Sequence, residues 1–242
     1  MGQLIAITAA DGSSCSAYLA EPAGRPRGAV VVLQEIFGVN SHIRAVADGY
    51  AAEGYLALAP ATFDRVKSGV ELGYTDADMQ AGFALKLAVE ALPAPGVLAD
   101  IQAAIDEAAR RSGGKVGIVG YCWGGLLTWR SACGLQGLAA AVPYYGGGMT
   151  TPDEAARRPQ CPVLAHFAEQ ELDSDGYGRG LPCRPARCRA AQLRRPPRLQ
   201  LRPARRLAPA FGCTGARAHA GLLRPPSGLI FRLISGAAAG RS

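Results

Sequence analysis

The chain has 242 residues, 49% of them hydrophobic, and a formal net charge of +7. This length allows one α/β domain with a sizeable core, and no apolar run approaches the ~18 residues of a membrane span. The start lacks the basic and apolar stretches of a secretory signal, so we expect none. Seven irregularly spaced cysteines without a CxxC pair argue against a zinc site and a disulfide scaffold, and predict a cytoplasmic protein.

The charge is divided unevenly along the chain. Residues 1–175 hold all 19 acidic residues and 12 basic ones, whereas residues 176–242 hold 14 arginines and no acidic residue. Any argument from basicity to nucleic acid therefore concerns this tail alone. The tail is rich in proline and has no sustained hydrophobic period. We predict a folded α/β domain over residues 1–175 and a tail over 176–242 that is not natively folded.

Strands and helices alternate through the first 170 residues. A short strand and turn open the chain, and Ser41 is the expected N-cap of the first helix. The patterns predict strands at 27–38, 56–60, 115–121, 137–147 and 161–170, helices at 41–55, 76–92, 96–114 and after Cys122, and a loop at 61–75. Such alternation predicts a mostly parallel sheet with helices on both faces, whose ligands bind at the carboxyl ends of the strands. Glu35 and Cys122 both fall at such ends.

The stretch "VGYCWGG" places Cys122 between glycines, after an apolar strand and before a helix. A nucleophile elbow needs small residues two positions before and after the nucleophile, and Gly120 and Gly124 meet this need. The following helix would lower the pKa of the thiol, and the N–H of Trp123 could face an oxyanion. The alternative is a buried structural cysteine in a tightly packed turn.

Glu35 ends the first apolar strand in "QEIFG". A carboxylate buried there would need a partner or a function, while the alternative is a solvated charge at the end of a strand. Together, "QEIFG" and "GYCWGG" resemble the dienelactone hydrolase (carboxymethylenebutenolidase) family of α/β-hydrolases. The segments "DRVKSGVELGYT" at 64–75 and "YYGGG" at 144–148 are also similar to that family, and the resemblance covers about residues 1–171.

The resemblance implies an α/β-hydrolase fold and hydrolysis of a small lactone or ester through an acyl-cysteine. Cys122 would be the nucleophile and Glu35 the residue that interacts with its thiol before substrate arrives. The backbone N–H groups of Ile36 and Trp123 would form the oxyanion hole. Arg65 is a candidate for the arginine that holds a substrate carboxylate. The family needs no metal and no organic cofactor, and we expect a monomer.

The general base of the implied triad has no counterpart in a matching context. The family places an Asp after the "HFxEQ" strand and a His in a late "HGF" loop, whereas this chain has Glu171 at the Asp position and no "HGF". His42 and His166 are interpreted as structural. His219 is the one late histidine, and its surroundings do not match.

A shift of reading frame near codon 171 would explain this loss. Residues 197–203, "PRLQLRP", can be encoded so that reading from the second nucleotide yields His-Gly-Phe-Asn-Cys-Asp. The same displacement turns residues 214–223 into a plausible amphipathic helix. Our hypothesis is that the frame slips near codon 171, so that this chain lacks the base and the last strand and helix of the domain and has little activity.

Two other readings remain open. The arginine-rich tail could bind RNA or DNA through phosphate charge, with an affinity that falls steeply with salt. The second alternative is that the chain is a catalytically silent α/β-hydrolase relative that acts as a scaffold. Against nucleic-acid binding, the tail has only three aromatic residues for stacking on bases.

Overall fold

The structure, a computed structural model, describes residues 2–168 and the backbone of residues 188–193. One sheet runs through these residues. Its strands are β1 (Gln3–Thr8), β2 (Ser14–Ala20), β3 (Ala29–Leu33), β4 (Leu56–Pro60), β5 (Val116–Tyr121), β6 (Leu138–Tyr144), β7 (Val163–Ala168) and β8 (Cys188–Leu193). The helices are α1 (Ser41–Ala52), α2 (Asp76–Glu90), α3 (Val97–Ser112), α4 (Trp123–Gly134) and the short α5 (Pro152–Ala155).

The order of the strands in the sheet is β1-β2-β4-β3-β5-β6-β7-β8. The central strands β4, β3, β5, β6 and β7 are parallel, while β1 and β2 at one edge and β8 at the other are antiparallel to their neighbours. Parallel neighbours end at the same edge of the sheet, so the ends of β3 and β5 lie side by side, with Leu33 opposite Gly120. The predicted mostly parallel sheet is confirmed.

Strand β3 shows why the central strands are continuous apolar runs. Val31 and Leu33 belong to the core beneath α3 and α4, whereas Val30 and Val32 belong to the core beneath α1. All five residues of β3 are fully buried. Helices on both faces leave no solvated side, so both sets of alternating side chains must be apolar.

Two local features differ from the predictions. The sequence pattern predicts no separate strand at 14–20, because β2 begins with the polar stretch "SCS" and shows no clear hydrophobic period. In the structure β2 lies between β1 and β4 and pairs with both. Helix α1 is capped by Asn40 rather than Ser41. The side-chain oxygen of Asn40 accepts a hydrogen bond from the N–H of Ile43 at 3.2 Å, the bond that defines an N-cap.

The arginine-rich segment contributes one strand. Strand β8 pairs along its full length with β7 in antiparallel register, from Cys188 opposite Ala168 to Leu193 opposite Val163. The sequence pattern predicts no strand there. Residues 169–187 and 194–242 lie outside the described residues, so the predicted division of the chain at residue 175 stays a prediction.

Candidate active site

Cys122 occupies a sharp turn between β5 and α4. Its backbone has φ 53° and ψ −120°, and a positive φ is unusual for a residue with a side chain. The turn is held by the Cys122 N–H, which donates to the carbonyl oxygen of Tyr144 at 3.1 Å. Backbone strain of this kind is concentrated at functional sites, where the surrounding structure enforces it. The strand, turn and helix that a nucleophile elbow requires are all present.

The glycines around Cys122 are required by close backbone approach. A Cβ at Gly120 would lie 2.2 Å from the carbonyl oxygen of Gly124, and a Cβ at Gly124 would lie 2.3 Å from that of Gln34. A Cβ at Gly125 would lie 2.5 Å from the carbonyl oxygen of Tyr144. The elbow is therefore packed directly against the loop after β3 and the end of β6, which brings Glu35 and Cys122 to one region of the molecule.

Glu35 follows β3 at the same edge of the sheet. Burial raises the pKa of its carboxyl group from the ordinary 4.5 to about 7, although a hydrogen bond from the hydroxyl of Tyr74 acts in the opposite direction. The Tyr74 oxygen lies 3.2 Å from the Glu35 carboxylate. A carboxyl group with this pKa exchanges protons near neutral pH, as a catalytic acid or base must.

The thiol of Cys122 is held in its protonated form. Burial raises its pKa to about 12, and the negative charge of Glu35 acts in the same direction. The N–H of Trp123 and the charge of Lys86 lower it, by smaller amounts. The start of α4 lowers the thiol pKa, as predicted, through the N–H of Trp123, but burial outweighs this contribution and the net shift is upward.

The two expected oxyanion donors belong to the loop after β3 and to the start of α4, two segments that are in contact at Gly124. Ile36 directly follows Glu35, and its side chain is 3% exposed. Trp123 is the first residue of α4, where N–H groups have no partner within the helix, and its N–H contacts the sulfur of Cys122. Their role in catalysis stays a prediction.

Arg65, the candidate for holding a substrate carboxylate, forms ion pairs with two carboxylates of the chain itself. Its guanidinium donates to both carboxylate oxygens of Asp100, at 2.6 and 2.8 Å, and to both oxygens of Asp11, at 2.7 and 3.2 Å. Asp100 is buried, with 2% of its side chain exposed. These bonds join the loop after β4 to α3 and to the turn after β1, so Arg65 contributes to structure through four of its five guanidinium N–H groups.

The histidines fall outside the elbow or outside the described residues. His42 lies on α1, as expected. His166 lies on β7, its ring stacked on Tyr144 with centroids 4.5 Å apart, and burial lowers its pKa to about 4. Glu171 and His219 lie outside the described residues. Among the residues described, no cluster of His, Cys, Asp or Glu could hold a metal ion.

Three further residues near the elbow are not evident from the sequence. Tyr74 contacts Glu35, while Lys86 and Glu90 are one turn apart on α2, with 3.7 Å between the ammonium nitrogen and a carboxylate oxygen. Glu90 also accepts a hydrogen bond from the indole N–H of Trp123 at 3.0 Å. The four-residue spacing of Lys86 and Glu90 is a visible signal, but it is typical of any solvated helix face.

Comparisons with known proteins agree with this geometry. Residues 15–174 match the model of the Dienelactone hydrolase family. The carboxymethylenebutenolidase of Pseudomonas putida is 35% identical over 186 residues, which are 72% of this chain and 77% of that protein. A relative from Synechocystis sp. is 40% identical over 136 residues, and the chain spans about half the length of that relative and of one from Escherichia coli.

A solved structure gives the same picture. A protein from Klebsiella pneumoniae subsp. pneumoniae assigned to the dienelactone hydrolases is 32% identical, with a TM-score of 0.51 over 67% of this chain and 72% of that chain. The arrangement of strands and helices described above is thus that of an α/β-hydrolase fold. None of the helices described is both long enough and apolar enough to cross a membrane.

Proposed function

Because this chain belongs to the dienelactone hydrolase family, we propose that it cleaves carboxylic-ester or lactone bonds with Cys122 as nucleophile. The observation that carries the proposal is the elbow itself. Cys122 is held at φ 53° between glycines that have no room for a Cβ, in the strand–turn–helix arrangement that presents a nucleophile. A cysteine with only a structural role would not require this strained conformation.

The reaction begins with the proton of the thiol. Glu35, whose pKa is about 7, accepts this proton, and the thiolate attacks the carbonyl carbon of the substrate. The N–H groups of Ile36 and Trp123 stabilise the oxyanion of the tetrahedral intermediate. The carbon–oxygen bond of the ester then breaks, and the leaving alkoxide takes the proton held by Glu35. The acyl group remains on sulfur until water hydrolyses the thioester, which gives the carboxylic acid and restores the thiol.

The high pKa of Cys122 suits this order of events. At neutral pH the free protein holds a thiol, since burial and the charge of Glu35 both disfavour the thiolate. A thiol is far less easily oxidised or alkylated than a thiolate. We propose that the nucleophile forms only when a bound substrate changes the surroundings of Glu35, which protects the resting enzyme.

Removal of the acyl group is the step that this chain performs poorly. Neither histidine of the described residues has the environment of a general base, since His42 lies on α1 and His166 is stacked on Tyr144 with a pKa of about 4. The loss of a base from such a triad costs orders of magnitude in rate. We expect acylation followed by slow turnover.

The experiment is a pre-steady-state measurement with p-nitrophenyl acetate and with the lactone dihydrocoumarin. The expected result is a burst of about one nitrophenolate per chain, then slow release, with the acetyl group located on Cys122 by mass spectrometry. Cys122→Ser should abolish the burst, and Cys133→Ser, which changes a cysteine near the end of α4, should retain it. A burst that persists without Cys122 would overturn the proposal.

We also propose that the missing histidine is encoded out of frame. The family match ends at residue 174, next to codon 171, where the frame hypothesis places the slip. The test is to resequence the coding DNA across codons 165–225. A nucleotide sequence that encodes His-Gly-Phe-Asn-Cys-Asp out of frame over residues 197–203 supports the hypothesis, and one that encodes no such segment refutes it.

A further inference from the structure

The indole of Trp123 is anchored by residues outside its own helix. Its ring stacks on Phe63 with centroids 5.1 Å apart and an angle of 14° between the planes. Its Nε1–H donates to the Glu90 carboxylate at 3.0 Å. Both aromatic side chains are 1% exposed, so the indole has little room to move. The residue whose backbone N–H contacts the sulfur of Cys122 is therefore fixed through its side chain.

Glu90 is held in place by two cations. The ammonium of Lys86 lies 3.7 Å from one carboxylate oxygen, and the guanidinium of Arg130 lies 3.8 Å from the other, which also accepts the indole N–H. A hydrogen bond to a charged acceptor is about twice as strong as a neutral one. The bond from Trp123 is thus of the stronger kind, and it joins the end of α2 to the start of α4.

Helix α2 also contacts the other expected oxyanion donor. A Cβ at Gly82 would lie 2.2 Å from the carbonyl oxygen of Ile36, so the helix backbone touches the loop that carries the Ile36 N–H. Gly82 and Glu90 lie eight residues apart, about 80° beyond two full helical turns, so they occupy adjoining faces of α2. Helix α2 therefore contacts both segments that carry the expected oxyanion donors.

From these contacts we infer that Glu90 is a positioning residue for catalysis, which sets the direction of the Trp123 N–H through the indole. The inference rests on the proposed function of Cys122. An error of about 1 Å in the position of a catalytic group can cost on the order of 100-fold in rate. An ordinary bond between two helices would instead affect stability and leave the oxyanion hole unchanged.

The test compares two reactions of the same thiol in the full-length chain. Acylation by p-nitrophenyl acetate creates an oxyanion, whereas alkylation by iodoacetamide at pH 9–10.5 does not. We expect Glu90→Leu to slow acylation of Cys122 about 10-fold to 100-fold, while its alkylation, followed by mass spectrometry, changes less than about twofold. Glu90→Gln keeps a carbonyl acceptor for the indole and should recover most of the acylation rate.

Trp123→Phe keeps the aromatic ring without the N–H and should slow acylation to the same extent. The double variant Trp123→Phe, Glu90→Leu should be acylated no more slowly than either single variant, because each substitution alone already removes the hydrogen bond between Trp123 and Glu90. Glu107→Leu, which removes a paired glutamate from the surface of α3, is the control and should leave both rates unchanged.

Two results would overturn the inference. If acylation and alkylation slow in parallel, Glu90 supports the fold in general, and if neither changes, the bond is incidental. The two proposals fail separately: normal acylation of Cys122 that is insensitive to Glu90 refutes only the positioning role. Absence of Cys122 acylation in the unmutated chain refutes the nucleophile, and the positioning role with it.

Discussion

Replacing Glu35 with glutamine should change how the stability of the protein depends on pH. The folded chain raises the pKa of this carboxyl from 4.5 to about 7, mainly by burial. Between these pH values the folded state binds more protons than the unfolded state, so the free energy of unfolding falls as pH rises. Each unit of pKa shift corresponds to about 1.4 kcal/mol, so the ionised carboxylate costs at most about 3.5 kcal/mol above pH 7.

Glu35→Gln removes this cost because the amide carries no charge at any pH. The variant and the unmutated chain should be about equally stable at pH 4, and the variant should become more stable by up to about 3 kcal/mol at pH 8. Other titrating groups, such as the half-buried His166, are present in both proteins and cancel in the difference. Stability at functional sites is often exchanged for activity, and the variant should also lose acylation.

The assay is urea-induced unfolding of both proteins at pH 4, 5.5, 7 and 8, followed by circular dichroism. Glu53→Gln, an exposed residue at the end of α1, controls for the loss of one negative charge from the surface. If the difference in stability between Glu35→Gln and the unmutated chain is the same at every pH, the raised pKa is refuted. The Glu35 carboxyl would then have the same pKa in the folded and unfolded states.

The remaining predictions concern the supports of the site. Gly124→Ala places a Cβ 2.3 Å from a backbone oxygen and should cost about 1–3 kcal/mol or more in urea unfolding, whereas Gly134→Ala, with nothing within 4 Å, should cost little. Tyr74→Phe removes the hydroxyl that lowers the pKa of Glu35, so the pH midpoint for acylation should move upward; an unchanged midpoint contradicts this. Asp100→Asn leaves a mostly buried guanidinium with one charged partner instead of two, so we expect a loss of about 2 kcal/mol or more with an unaltered acylation burst. A lost burst in a folded Asp100→Asn protein would place Arg65 in substrate binding after all.

Several features of this protein follow from local sequence. The turn at Cys122 is one, because the need for glycine at position 120 arises from contacts with Gly124 and Thr128, within a few residues of the turn. The central strands are another, since burial on both faces leaves an unbroken apolar run such as that of β3. Glu35 could be placed near Cys122 because parallel neighbours end at the same edge of a sheet. The matching family motifs come from these same stretches.

Contacts between distant segments decided the rest. Arg65 is paired with Asp11 and Asp100, which are 54 and 35 residues away, so the sequence around it gives no sign that its donors are occupied. Glu90 meets Trp123 only because the fold brings the end of α2 close to the start of α4. The thiol pKa depended on burial, and burial is a property of the whole fold. A local pattern can therefore place a nucleophile in a turn, but the free energy of its charged form is set by every group that the tertiary structure brings around it.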